Sequence, residues 1–185
     1  IKDSYTGKVY DYSRREDVSY RDVLLPSAAP VSFLNPQVLM DAANQAERRS
    51  DARMGRVIDI ALPRELDAEL WVKLIREYAQ TNFTSNGHVV VAAMHTCEPK
   101  PGDKTRTGNN PHAHLLVLTR PLDERGFQPT KCKSRWMNSV DALISWRKSW
   151  ADLLNRALER YGYLDRRVSH ESLASQGIDR APTIH

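Results

Sequence analysis

The tightest constraint on this chain is a pair of apolar runs on either side of one polar segment. "HVVVAAMH" covers His88 to His95, and "HAHLLVL" begins at His112. Asn86-Gly87 precedes the first run and Asn109-Asn110-Pro111 the second, so turn residues bound two stretches of strand-forming composition. The intervening "CEPKPGDKTRTGNN" carries Lys100, Lys104 and Arg106 among Pro and Gly, which marks an exposed loop. It is too short and too broken to hold the helix of a parallel crossover. The two strands are therefore antiparallel neighbours, and His95 and His112 lie at the same end.

The rest of the chain fills in around that pair. The first thirty or so residues, with Tyr5, Tyr10, Tyr12 and Tyr20 among charges and then Pro26 and Pro30, predict an irregular or short-stranded arm. Asn35 as N-cap with Pro36 behind it, and Val38, Ala42 and Ala46 at helical spacing, predict a helix ending near Gly55. "RVIDIALP" reads as a buried strand interrupted by one acid, Asp59. Asp67 then caps a second helix whose face is Leu70, Trp71, Leu74, Ile75 and Tyr78. A third runs from about Ser139 to Gly162 on Leu143, Trp146, Trp150, Leu153, Leu154 and Leu158. The pattern is α+β: a central antiparallel β-sheet flanked by helices, in one domain over 1–185.

Composition narrows the class. No apolar run approaches the roughly 20 residues of a membrane helix, so a soluble protein with no membrane partner is expected. The charge of +4 with a pI near 9.1 permits a polyanionic partner without demanding one. Two cysteines, Cys97 and Cys132, exclude a disulfide framework and point to a reducing compartment, the cytoplasm.

Alternation along a strand puts His112 and His114 on one face. A facing His95 at a cross-strand spacing of roughly 5 Å is within reach of both. Three neutral nitrogen donors suit Zn, Mn, Ni or Co and leave a coordination position open to a substrate oxygen. The bland alternative is a set of half-buried histidines with no ligand. Asp59 has two readings as well, a partner of the site or a strand-edge acid in a surface ion pair. Lys131, Lys133 and Arg135 beside Trp136, and Arg166, Arg167 and His170, are the basic clusters that suit phosphates and unstacked bases; a solvated face is their plain alternative. His88, His170 and His185 are by default structural or exposed. A third histidine two residues past His114 is absent, since Leu116 stands there, and there is no H-E-x-x-H motif.

"RVIDIALPREL", "NNPHAHLLVLTR" and "WADLLNRALERYGYLDRRVSHESLASQGIDRAPTIH", in that order, resemble the MobA/MobL-type conjugative relaxases of the HUH endonuclease superfamily. The resemblance implies a nickase that cuts one DNA strand at an origin of transfer by tyrosine transesterification, leaving a 5′-phosphotyrosine and a free 3′-OH. It implies that His95, His112 and His114 hold a divalent ion (Mn, Mg, Zn, Ni or Co) on the scissile phosphate. Asp59 would orient a metal-binding histidine or handle the tyrosine proton.

It also implies partners: single-stranded origin DNA, relaxosome accessory proteins and a secretion coupling protein, for a monomer made in the bacterial cytoplasm and transferred with the DNA. In the family a strand and the nucleophilic tyrosine precede the segment matching Ile1, so an incomplete N-terminus is expected, with further domains after His185. Tyr5, Tyr10 and Tyr12 are fallbacks for the nucleophile. A hairpin-binding fragment without nicking activity and a metal-dependent phosphodiesterase are the competing functions.

Overall fold

A computed structural model of the chain describes residues 2, 7–9, 18–47, 49, 52–96, 110–129 and 136–179. They fall into two compact units, Ile1–Met137 and Asn138–His185. The first is built on a four-stranded sheet in the order β1-β3-β4-β2, with β1 Val18–Leu24, β2 Gly55–Ala61, β3 Val90–His95 and β4 His112–Leu118. Every neighbouring pair is antiparallel. The β3–β4 register sets His95 directly opposite His112, as the short connection requires. A small hairpin follows, β5 Leu122–Asp123 and β6 Gly126–Phe127.

The N-terminal arm, expected to be irregular or short-stranded, contains one seven-residue strand, β1, at a sheet edge. Its charged residues obscure a one-sided alternation that only pairing with β3 reveals. The strand expected to be buried, β2, is the other edge. Ile60 is its buried residue and Val57 is 61% exposed, because an edge strand has a neighbour on one side only. Gly55 opens it at a close approach: a Cβ there would stand 2.7 Å from Leu116 Cδ1 and 2.9 Å from the Val117 carbonyl.

The first helix, α1, spans Pro36–Ala46 and stops well before Gly55. Asn35 caps it by accepting the Gln37 and Val38 amides at 2.9 and 3.4 Å, a contribution of about 1 kcal/mol. The buried stripe is Leu39 and Ala43, one residue out of phase with the expected Val38, Ala42 and Ala46. The chain turns at Glu47, whose carboxylate meets the guanidinium of Arg120 at 2.9 Å. Arg120 also donates to the Gln128 carbonyl at 2.9 Å, so this buried charge is both paired and hydrogen-bonded.

Helix α2, Ala68–Asn82, starts at Asp67, which accepts the Leu70 amide at 2.9 Å, and buries Trp71, Leu74, Ile75, Tyr78 and Ala79. The Trp71 indole N–H donates to the Pro63 carbonyl at 2.8 Å, fixing the turn into the helix.

The two faces of the sheet have different cover. Val23, Leu39, Ala43, Val89, Leu118 and Leu122 form one core cluster with α1, joined by Val91 and Leu116. On the opposite face Tyr20 and Asp22 are tied to Arg76 of α2 at 3.0 and 2.6 Å.

In the second unit α3 runs Val140–Arg160, capped by Ser139 at 3.0 Å from the Ala142 amide. Its buried residues are Ala142, Trp146, Trp150, Ala151, Leu153, Leu154 and Leu158. Leu143, expected among them, is 45% exposed; the stripe set by the two tryptophans runs back through Ala142. Gly162, at φ +87, closes the helix in a Schellman turn, with Tyr163 N–H on Leu158 O at 2.9 Å and Gly162 N–H on Glu159 O at 3.1 Å. Among the described residues no helix is long and apolar enough to cross a membrane.

Candidate metal and phosphate site

Along β4 the side chains of His112, His114, Leu116 and Leu118 alternate onto one face. The same face therefore has an apolar end, under α1, and a histidine end. Pro111 leads into the histidine end with its carbonyl accepting the Leu62 amide at 2.9 Å, which carries the β2–β4 ladder past the last strand residue.

His95 at the end of β3 completes the group. Ring centroids stand 5.2 Å apart for His95 and His112, 5.0 Å for His95 and His114, and 4.9 Å for His112 and His114. Imidazoles that share one ion through one nitrogen each, at about 2.1 Å, keep their ring centres roughly 4.6 to 5.3 Å apart. The His95 and His112 rings lie within 8° of parallel. As placed, no three His, Cys, Asp or Glu side chains among the described residues form a ligand group. The three rings nonetheless bring three nitrogen-donor side chains to a centroid spacing that one divalent ion could span.

Two of the rings are held from behind. His112 Nδ1 bonds the Asn110 carbonyl at 2.8 Å. A carbonyl only accepts, so Nδ1 carries the hydrogen and Nε2 keeps its lone pair. His114 Nδ1 bonds Asp59 Oδ1 across the β2–β4 pair, which orders the same tautomer. Asp59 is a strand-edge acid with a 66% exposed side chain, and its carboxylate meets His114.

The other candidates belong to the second unit or fall outside the described residues. Arg166, Arg167 and His170 belong to the second unit. There Asn155 clamps the tail to α3, its Nδ2 donating to Val168 O at 2.9 Å and its Oδ1 accepting Val168 N–H at 2.8 Å. Arg167 is engaged with Glu159 at 3.5 Å and the Asn155 carbonyl at 3.4 Å. Lys131, Lys133, Arg135, Tyr5, Tyr10, Tyr12, Cys97, Cys132 and His185 lie outside the described residues. His88 is structural, fully buried with its Nδ1 on the Leu118 carbonyl at 2.9 Å, and burial pushes its pKa down.

The sequence reading missed the Asn155 clamp and the Tyr20–Asp22–Arg76 network. The first is invisible until the tail folds back. The second had one signal, polar residues at strand spacing, without a visible partner. Tyr20 donates to Asp22, and its pKa is raised by burial first and by that hydrogen bond next. It pairs with Met94, on the face opposite the histidines.

The MobA/MobL family model matches residues 1–185. The chain belongs to the MobA/MobL family. This MobA/MobL chain is similar to a "Probable mobilization protein MobA" of Bifidobacterium longum, 31% identical over 225 residues, with 100% of this chain and 38% of that protein covered. It is 32% identical over 207 residues to a "Conjugal transfer protein TraA" of Agrobacterium fabrum, covering 97% of this chain and 18% of that one. It is also 32% identical over 195 residues to a "43 kDa relaxation protein" of Salmonella typhimurium, covering 95% and 51%. The chain thus spans about half or less of these relatives. A solved structure described as "Molecular Basis of Vancomycin Resistance Transfer in Staphylococcus aureus" aligns at a TM-score of 0.78 and 30% identity, over 92% of this chain and 84% of that one.

Proposed function

We propose that this chain is the nicking domain of a conjugative relaxase, cutting one strand of single-stranded origin-of-transfer DNA at the histidine end of its sheet. The observation that carries the reading is the cluster of His95, His112 and His114 with ring centroids 4.9 to 5.2 Å apart. The family membership and the relatives named for mobilisation, conjugal transfer and relaxation support it. The reading carries with it a place in the cytoplasm of a donor bacterium, accessory proteins at the origin, and a coupling protein that passes the complex on.

In this reading the three histidines hold a divalent ion, of the Mn, Mg, Zn, Ni or Co class. When bound, such an ion supplies positive charge against a non-bridging phosphate oxygen. The chain's own residues do the preparing. The Asn110 carbonyl and Asp59 hold His112 and His114 with their Nδ1 atoms protonated, so that Nε2 is the donor. The cut itself is a transesterification: a phenolic oxygen forms its bond to phosphorus while the bond to the 3′ oxygen breaks, and that oxygen takes a proton. Neither Tyr20 nor Tyr78 is that phenol. Tyr20 faces away from the histidines, and Tyr78 is buried, with burial pushing its pKa up.

The test pairs calorimetry with an adduct assay. Titrating Mn²⁺ into the wild type should give one tight site that His112→Ala abolishes, and unchanged affinity in the variant would refute the three-histidine site. Incubation with labelled origin single-stranded DNA should give a strand cut, with a covalent protein–DNA band wherever the nucleophile is present. Binding without any cut would favour the DNA-binding fragment, and turnover of a generic phosphodiester would favour the phosphodiesterase.

A further inference from the structure

One row crosses the whole sheet: Arg21 pairs with Ala93, Ala93 with His114, and His114 with Asp59. Directly opposed residues of paired strands project to the same face. Arg21 therefore shares the face of His95, His112 and His114, two strands from His114, with an alanine between them. Ala93 is small and half-buried. Adjacent strands are about 4.8 Å apart, so the two backbones stand roughly 10 Å apart. A guanidinium on its flexible stem and a phosphate between the two can close such a gap.

A second observation fixes the direction independently. The register of β1 shifts between Val18 and Tyr20, and a bulge of this kind resets which residues face which way. Tyr20 and Asp22 are then both bonded to Arg76 of α2, at 3.0 and 2.6 Å. With its two neighbours anchored to a helix on one face, Arg21 is sent to the other. It is exposed there. Among the described strand residues of that face it is the one Lys or Arg side chain.

We propose that Arg21 is a phosphate-contacting residue of the histidine site, its guanidinium taking the non-bridging oxygens of a single-stranded DNA phosphodiester that lies across Ala93. The proposal rests on the function given above and adds to it the substrate contact on β1. Planar, bidentate pairing with phosphate is what arginine does better than lysine, so the two can be told apart.

The experiment is fluorescence anisotropy of a labelled single-stranded oligonucleotide, titrated with protein in EDTA across a NaCl series, so that the readout needs neither metal nor cleavage. One lost phosphate contact on a single strand should flatten the slope of log K against log[salt] by about 0.7. Arg21→Ala should show that change and bind several-fold more weakly, with an unaltered melting temperature; Arg21→Lys should recover the slope but only part of the affinity. Wild-type slope and affinity in Arg21→Ala, where the wild type binds normally, would overturn the assignment of Arg21 alone. Failure of the wild type to bind the oligonucleotide at any salt would overturn the DNA reading and this contact together.

Discussion

One face of one sheet carries two unlike ends. Under α1, Val23, Leu118 and their neighbours are packed with Leu39 and Ala43. A few residues along the same strands, Arg21, Asp59, His112 and His114 are partly or wholly open. The backbone is the same and the alternation is unbroken along β4. What differs is cover. Where a helix lies on the strands, only apolar side chains avoid a desolvation cost. Where the helix stops, these four side chains keep contact with water and can meet a ligand, while His95 at the same end is buried. The covered end should therefore govern stability, and the open end should govern binding.

The sharpest way to break that division is at the open end. Metal binding there should vanish in His112→Ala, while a urea melt of the same variant shifts by no more than about 1 kcal/mol, since partly exposed positions contribute little. At the covered end the outcome should reverse. Leu118→Ala should cost about 2–5 kcal/mol in the urea melt, leaving Mn²⁺ affinity intact in calorimetry at low temperature. A joint loss in either variant would show that the two ends do not act separately.

Asp59→Asn tests the support behind the ring rather than the ligand. An amide can no longer favour the Nδ1–H tautomer of His114 as a carboxylate does, and metal affinity should fall about 10–100-fold with the melt unchanged. The smallest effect is that of pH on the covered end. His88 is buried beside Leu118, and burial lowers its pKa from the ordinary 6.5. The unfolded chain then binds a proton that the folded one resists. The stability from neutral His88 is present above about pH 6.5 and lost as pH falls through its lowered folded value. His88→Gln should flatten the acid limb of a stability-against-pH curve; an unchanged limb would remove His88 from the account.

Much of the site was legible because strand periodicity is strict. A spacing of two puts His112 and His114 on one face, and a short connection forces His95 opposite His112, as the register shows. The helix caps at Asn35 and Asp67 were legible for a similar reason, since each is a local exchange of hydrogen bonds within three residues. Arg21 was not legible. Its direction depends on a bulge and on an arginine from α2, neither of which leaves a mark in "VSYRDVL".

The sequence by itself determined the α+β pattern, the antiparallel pairing of β3 with β4, the shared face of its histidines and the family to which these motifs belong. Those properties rest on periods and caps, which act over a few residues. Only the tertiary structure decided that β2 is an edge, that α1 stops at Ala46, that Asp59 reaches His114, and that Arg21 stands on the histidine face. Each of these is set by which strand lies beside which, and that choice is made by burial summed over residues far apart in the chain.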